Sequence, residues 1–204
     1  MHDMNVSNPD HRCLFDAVSS QHGYFTTRQA AECGIRRKLL SYFVGTGRFT
    51  RVHHGVYRLR DYPYSLHEEV VAAWLAVGRD DAVVSHESAL DIHDLSDIIP
   101  RAIHLTIPRS HRYRRRPPGV KLHTTVTPLV DEDVVIREGI RVASPARAIA
   151  DATTAGAGPE QIEMAVRQGL ERGITTPRRL RAASETRGKY VRDLIERSIE
   201  IARS

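Results

Sequence analysis

The sequence predicts an α+β protein in two parts: an amino-terminal winged helix-turn-helix over residues 1–62, and a mixed α/β domain over residues 66–204 with a small antiparallel sheet and a helical end. Three observations predict it. The stretch from Gly23 to Leu59 carries signals for a helix, a tight turn, a second helix and a hairpin in immediate succession. Positive charge is concentrated in the same stretch. Beyond a proline-marked break at Asp61-Tyr62-Pro63-Tyr64-Ser65, β-rich runs give way to a series of helical patterns.

Each element has its own justification. Residues 1–10 are polar and contain Pro9, which reads as a loose arm. From His11 to Gln21, Cys13-Leu14 and Ala17-Val18 recur at helical spacing. Thr26 followed by Gln29 is a capping-box pattern and starts a short helix running to about Cys33, after which Gly34 supplies the turn. The next helix opens near Ile35 and turns Ile35, Leu39, Leu40, Phe43 and Val44 to one side. Arg37, Lys38, Ser41 and Tyr42 fall on the other, a mixture of guanidinium, ammonium, hydroxyl and aromatic groups suited to phosphates and base edges. Gly45 and Gly47 end that helix. FTRVHHGVYRL then alternates polar and apolar residues about His54-Gly55, as a hairpin with a positive-φ turn residue does.

Between Arg28 and Arg60 eight basic residues face one acid, Glu32. The DNA-contact set expected from this stretch is Arg28, Arg36, Arg37, Lys38, Ser41 and Tyr42, with Arg48, Arg51, His53 and Arg58 from the hairpin side. The helix would enter the major groove while Arg51, His53 and Arg58 lie along the backbone or minor groove. The plainer account is a small helical domain with a solvated basic face.

The order GYFTTRQAAECGI, RRKLLSYFVGTGRFTRVHHGVY, VSHESALDIHDLSDIIP and IREGIRVASPARAIAD resembles the AbiEi family of antitoxins from type IV toxin–antitoxin systems, in particular its short actinobacterial members. The resemblance spans most of the chain. It implies a winged helix that binds double-stranded promoter DNA of its own operon and a carboxy-terminal domain that counteracts a nucleotidyltransferase-like toxin. The charge and periodicity of the first 60 residues stand without it.

Composition bounds the rest. The chain of 204 residues has a formal net charge of +5; residues 1–60 hold nine Lys/Arg against four Asp/Glu, and residues 61–204 hold 21 of each. A localised excess points to a footprint on a polyanion rather than a general basic coat. Cys13 and Cys33 lie on amphipathic helices without zinc-ligand spacing and are expected to be reduced core thiols. The amino terminus lacks an apolar signal region and no run is long enough to span a membrane, so the expected location is the cytoplasm.

In the second part, Leu66 to Val77 aligns Leu66, Val70, Ala73, Trp74 and Val77 on one stripe, with Trp74 as a core anchor. Ser85 can cap a helix SHESALDIHDL. His86 and His93 would share a face of it near Glu87, Asp91 and Asp94, but the spacing is not His-Glu-x-x-His. Capping and surface hydrogen bonds are expected for them, with no metal and no other cofactor. AIHLTI and VKLHTTV read as strands joined by a long hairpin loop holding Arg109, Arg112, Arg114, Arg115 and Arg116. That loop, and the helix carrying Arg178, Arg179 and Arg181, are either solvated or contacts for a polyanion or acidic partner. VVIREGIRV reads as a strand pair turning at Glu138-Gly139. Ser144-Pro145 starts a helix, and further helices are expected over 160–171, 177–183 and 189–202.

Catalysis is not expected. The acid-x-lysine step of a restriction-type nuclease is broken, since Gly119 stands two residues before Lys121, and no phosphate-binding glycine loop or serine elbow occurs. Two classes remain: a DNA-binding antitoxin, and a stand-alone winged-helix regulator whose second domain senses a ligand or drives oligomerisation.

Overall fold

The computed structural model describes residues 9–203. Most of the expected amino-terminal arm lies outside them. The chain divides into two compact units, Met1–Arg79 and Asp80–Ser204.

The first unit contains, in order, helix α1 (His11–Ser19), strand β1 (Tyr24–Thr26), helices α2 (Thr27–Glu32) and α3 (Arg37–Gly45), strands β2 (Phe49–His53) and β3 (Val56–Leu59), and helix α4 (Glu68–Val77). Helix α2 begins where the capping pattern places it. The Gln29 amide N–H donates to Thr26 Oγ1 at 3.2 Å, and the Thr26 N–H donates back to Gln29 Oε1 at 3.0 Å, so two otherwise orphaned donors are satisfied together. Gly34, at φ +77°, turns the chain between α2 and α3, a conformation that favours glycine. The sheet has the order β1-β3-β2 and is antiparallel throughout. Sequence patterning gave only its β2–β3 hairpin; β1 was hidden because three residues are too few to show alternation.

Phe25, Phe43 and Phe49 form the centre of this unit's core, with Phe49 edge-on to both of the others at 5.0 Å. Leu14, Val18, Ile35 and Leu40 close around them. Cys13 and Cys33 are joined as a disulfide across α1 and the end of α2, with their α-carbons 5.6 Å apart, which corrects the expectation of reduced thiols. Amphipathic spacing placed both sulfurs on inward faces but could not show that those faces meet. The Asp10 N–H donates to the Cys33 carbonyl at 3.0 Å and holds the two segments at that separation.

Helix α4 packs on the three-stranded sheet and belongs to the first unit. The division into compact units falls between Arg79 and Asp80, beyond the break expected at Asp61 to Ser65. Trp74 is buried within α4, as a core anchor should be. Adding Arg79 and the acids Asp61, Glu68 and Glu69 makes the first unit ten basic against seven acidic residues, a smaller excess than the first 60 residues alone suggested.

The second unit holds strands β4 (Val83–Val84), β5 (Ile103–Pro108), β6 (Val120–Thr125), β7 (Val134–Arg137) and β8 (Ile140–Ala143), with helix α5 (His86–Ile92) between β4 and β5. Four helices follow: α6 (Pro145–Thr154), α7 (Pro159–Glu171), α8 (Pro177–Ser184) and α9 (Lys189–Ile201). The sheet order is β6-β5-β4-β8-β7. It is mixed rather than antiparallel: β5 runs parallel to β6 and β4 parallel to β8, while β4–β5 and β7–β8 are antiparallel. The arginine-rich segment 109–119 is accordingly a crossover that returns the chain to the start of β5, not a hairpin loop. The glycine turn at Glu138-Gly139 does make the expected hairpin. Helix α6 lies almost wholly buried, and its run of alanines lets α5 and α8 approach closely. Leu90, Leu105, Ile107, Ile140, Ile149 and Ile162 are among the large side chains of that core. Among the described residues, no helix is long and apolar enough to cross a membrane.

Candidate nucleic-acid interface

Helix α3 separates its two faces cleanly. Leu40 and Phe43 are buried, whereas Arg36, Arg37, Lys38, Ser41 and Tyr42 are exposed, Tyr42 by 61 %. A side chain of that size left in water on an otherwise well-packed helix is available to a partner. Among the described residues, none of Arg36, Arg37 and Lys38 has an acidic partner. Arg28, on α2, pairs with Glu32 at 3.4 Å, an exposed i, i+4 contact of little energetic weight that a phosphate could replace.

The hairpin contributes unequally. Arg51 is exposed and its guanidinium lies 3.2 Å from His54 Nδ1; His53 is half-buried at the end of β2, where the pairing shifts. Arg48 is exposed and stacks over the Phe43 ring at 4.9 Å, which holds its charge beside α3. The Thr27 N–H donates to the Gly55 carbonyl at 2.9 Å and fixes the hairpin tip against the start of α2.

Arg58 does not share this surface. It is 6 % exposed, sandwiched between the rings of Tyr24 and Tyr64, and its Nη2 donates to the Tyr62 carbonyl at 2.7 Å and the Pro63 carbonyl at 3.2 Å. The same nitrogen lies 3.4 Å from Glu68 Oε2. Arg58 thus ties β3, the proline segment and α4 together, and it leaves the contact set grouped from sequence. Strand alternation held the signal: Arg58 stands two residues from buried Val56 and so points to the same face. Burial near Tyr24 also shows in that phenol, whose pKa burial pushes up, with Glu68 adding to the shift and Arg58 opposing it.

In the second unit some arginines are engaged by carboxylates and others stand exposed. Arg114 meets Asp81 at 2.8 Å, with His111 Nδ1 3.3 Å from the same carboxylate, while Arg109, Arg112, Arg115 and Arg116 are exposed. Arg112 lies over Tyr113 at 4.4 Å. On α8, Arg178 and Arg179 are exposed, but Arg181 makes a two-pronged bond to Glu196 of α9 at 2.8 and 2.6 Å. That bond raises the Arg181 pKa and lowers that of Glu196. Asp151, buried on α6, is gripped by Arg147 at 3.1 Å and by Arg187, and Arg147 also reaches Asp133 at 3.4 Å.

The histidines of the SHESALDIHDL segment are not surface groups. His93 is buried and its Nε2 lies 2.8 Å from the Ala143 carbonyl; burial, then Arg137 and Arg172, push its pKa down against that bond. Ser85 makes no capping bond. Its Oγ instead lies 2.9 Å from His86 Nδ1 and accepts from Thr106 Oγ1 at 2.8 Å. His86 is buried against His104 and His123, a convergence that spacing along the chain did not signal.

Comparison with known proteins bears on the first unit. Residues 14–60 match the family described as transcriptional regulator, AbiEi antitoxin. The match runs from within α1 through β3 and includes the elements that carry the exposed basic face. Comparison with curated proteins finds no match. Among solved structures, the Rv2827c protein of Mycobacterium tuberculosis superposes with a TM-score of 0.57 at 15 % identity, over 98 % of this chain and 79 % of that one. That likeness is one of fold.

Proposed function

We propose that this protein is a DNA-binding antitoxin of a type IV toxin–antitoxin system: a winged helix-turn-helix in the first unit represses its own promoter, and the second unit counteracts a nucleotidyltransferase-like toxin in the cytoplasm. The observation that carries the DNA-binding half is the outward face of α3, where Arg37, Lys38, Ser41 and Tyr42 are exposed together beside Arg36, Arg48 and Arg51. The match to a regulator family over the same residues supports it. In this reading α3 lies in the major groove, and Arg51 and His53 of the hairpin follow the backbone or minor groove. A single such module covers a short site, so tight repression calls for repeated sites in the promoter.

The antitoxin half rests on the resemblance, supported by a second unit with its own core and no catalytic constellation recognised in the sequence. The exposed arginines of segment 109–116 and of α8 are its proposed contacts for an acidic partner or flanking DNA. No enzymatic activity is proposed.

Gel shift and footprinting on the DNA upstream of the gene test the first half. Wild-type protein should protect a repeated site, and Arg37→Ala with Lys38→Ala should abolish protection while the protein stays folded. Co-expression of that double variant with the product of the adjoining reading frame tests the second. Continued rescue from growth arrest is the expected result, and loss of rescue would favour a regulator that acts only through its promoter.

A further inference from the structure

We propose that His86, His104 and His123 form a binding site for a late first-row divalent cation of the zinc class, open on one side to a cleft of the second unit. The three side chains come from three elements: the start of α5, β5 and β6. One ring nitrogen of each lies within 4.8 Å of the others, which is close enough for one ion to bridge them after small ring rotations. His104 Nδ1 and His123 Nε2 are 3.3 Å apart. Two nitrogens at about 2.0–2.1 Å from a tetrahedral zinc stand about 3.3–3.4 Å from each other, so this pair already has the spacing of two ligands. His86 is stacked on His123 with ring centroids 3.5 Å apart and must turn to present its own nitrogen.

Burial disfavours protonation of these imidazoles. Burial first, then the neighbouring histidines, hold the His86 pKa down at about 2, and burial, His104 and Lys121 hold His123 at about 4. Ser85 Oγ, 2.9 Å from His86 Nδ1, can take that ring's N–H and leave Nε2 as the nitrogen with a free lone pair. His86 adopts φ +54°, a left-handed conformation costly for a residue with a β-carbon, and keeps it at the position that brings its ring over β6. His86 and His123 line a cleft of about 520 Å³ with Asp133, Arg147 and Asp151 on its wall. A fourth ligand position facing that cleft is open to water or to an anionic group. Imidazole donors without thiolate select zinc, cobalt, nickel and copper over magnesium or calcium.

The test is cobalt(II) titration of the full-length, tag-free protein near pH 7.5, read by visible absorption and by calorimetry. One equivalent should bind with the intense visible bands of tetrahedral cobalt, and an equivalent of zinc should bleach them. Half-buried His123 can be changed with the least risk to folding: His123→Gln, with circular dichroism and melting of the metal-free protein as controls, should weaken cobalt binding at least tenfold. His104→Gln should do the same. Absence of stoichiometric binding by the wild type would overturn the site. So would equal binding by the folded His104→Gln, His123→Gln double variant, which would assign the metal to exposed histidines elsewhere.

Discussion

The two compact units use arginine differently. In the first, Arg36, Arg37 and Lys38 stand exposed with no acidic partner among the described residues, and Arg58 alone is drawn inside to hold Glu68. In the second, Arg114, Arg147, Arg172, Arg181, Arg187 and Arg197 meet carboxylates, although Arg109, Arg112, Arg115, Arg116, Arg178 and Arg179 are exposed. Net charge therefore understates the contrast, because a paired cation is screened locally and an unpartnered one projects its field to a distant polyanion. The fold needs the buried pairs that Arg147 and Arg187 make with Asp151. It does not need the bare face of α3, which is why that face is read as a binding surface.

The comparison breaks first where pairing is deepest. Asp151→Ala removes the buried carboxylate between Arg147 and Arg187 and leaves two guanidinium groups in a partly buried site. A loss of about 3–5 kcal/mol is expected, read by urea unfolding. A loss below about 1 kcal/mol would mean that these arginines turn out to water without cost.

Arg58→Ala is next. It strands the Tyr62 and Pro63 carbonyls and Glu68, and should lower stability by about 2–4 kcal/mol, whereas Arg37→Ala should leave the melting temperature unchanged. Equal effects of the two on stability would erase the distinction between a structural and a displayed arginine.

His93 sharpens the same point through pH. Its folded pKa lies below the ordinary value of 6.5, so as pH falls below about 6.5 the unfolded chain takes up a proton that the folded chain refuses. Stability is retained above that pH and falls below it, by at most about 1.4 kcal/mol per pH unit for one such group. Melting curves between pH 7.5 and 5 should fall more steeply for the wild type than for His93→Gln; identical slopes would place a protonated imidazole in the fold.

The smallest effect is expected at Arg114. Its bond to Asp81 joins partners about one-third exposed, so Arg114→Ala should cost about 0.2–1 kcal/mol, measurable as a small shift of the urea midpoint.

Local signals in the sequence carried much of this architecture. The Thr26–Gln29 box, Gly34, the outward phase of α3 and the proline-led helices α6 and α8 all stand as read, because capping, turn and periodicity are decided by residues a few positions apart. What failed was long-range. Arg58 meets Glu68 only because α4 folds back on the sheet, and the parallel pairing of β5 with β6 depends on a crossover that no single-strand pattern encodes. The three histidines converge for the same reason: His123 lies opposite Thr106 in that parallel pair, diagonal to His104. Cys13 and Cys33, 20 residues apart, met across two helices whose packing was not legible.

The most direct test of the account is the salt dependence of binding to the gene's upstream DNA, measured by fluorescence anisotropy for the wild type and for Arg37→Ala with Lys38→Ala. If both cations contact phosphates, the slope of log K against log salt should flatten by about 1.8, with a correspondingly weaker affinity at low salt. If one reads a base instead, the slope should flatten by about 0.9 and discrimination against a mutated site should drop by about 1–3 kcal/mol. Unchanged affinity and an unchanged slope in the folded double variant would contradict the assignment of α3 as the DNA-reading face.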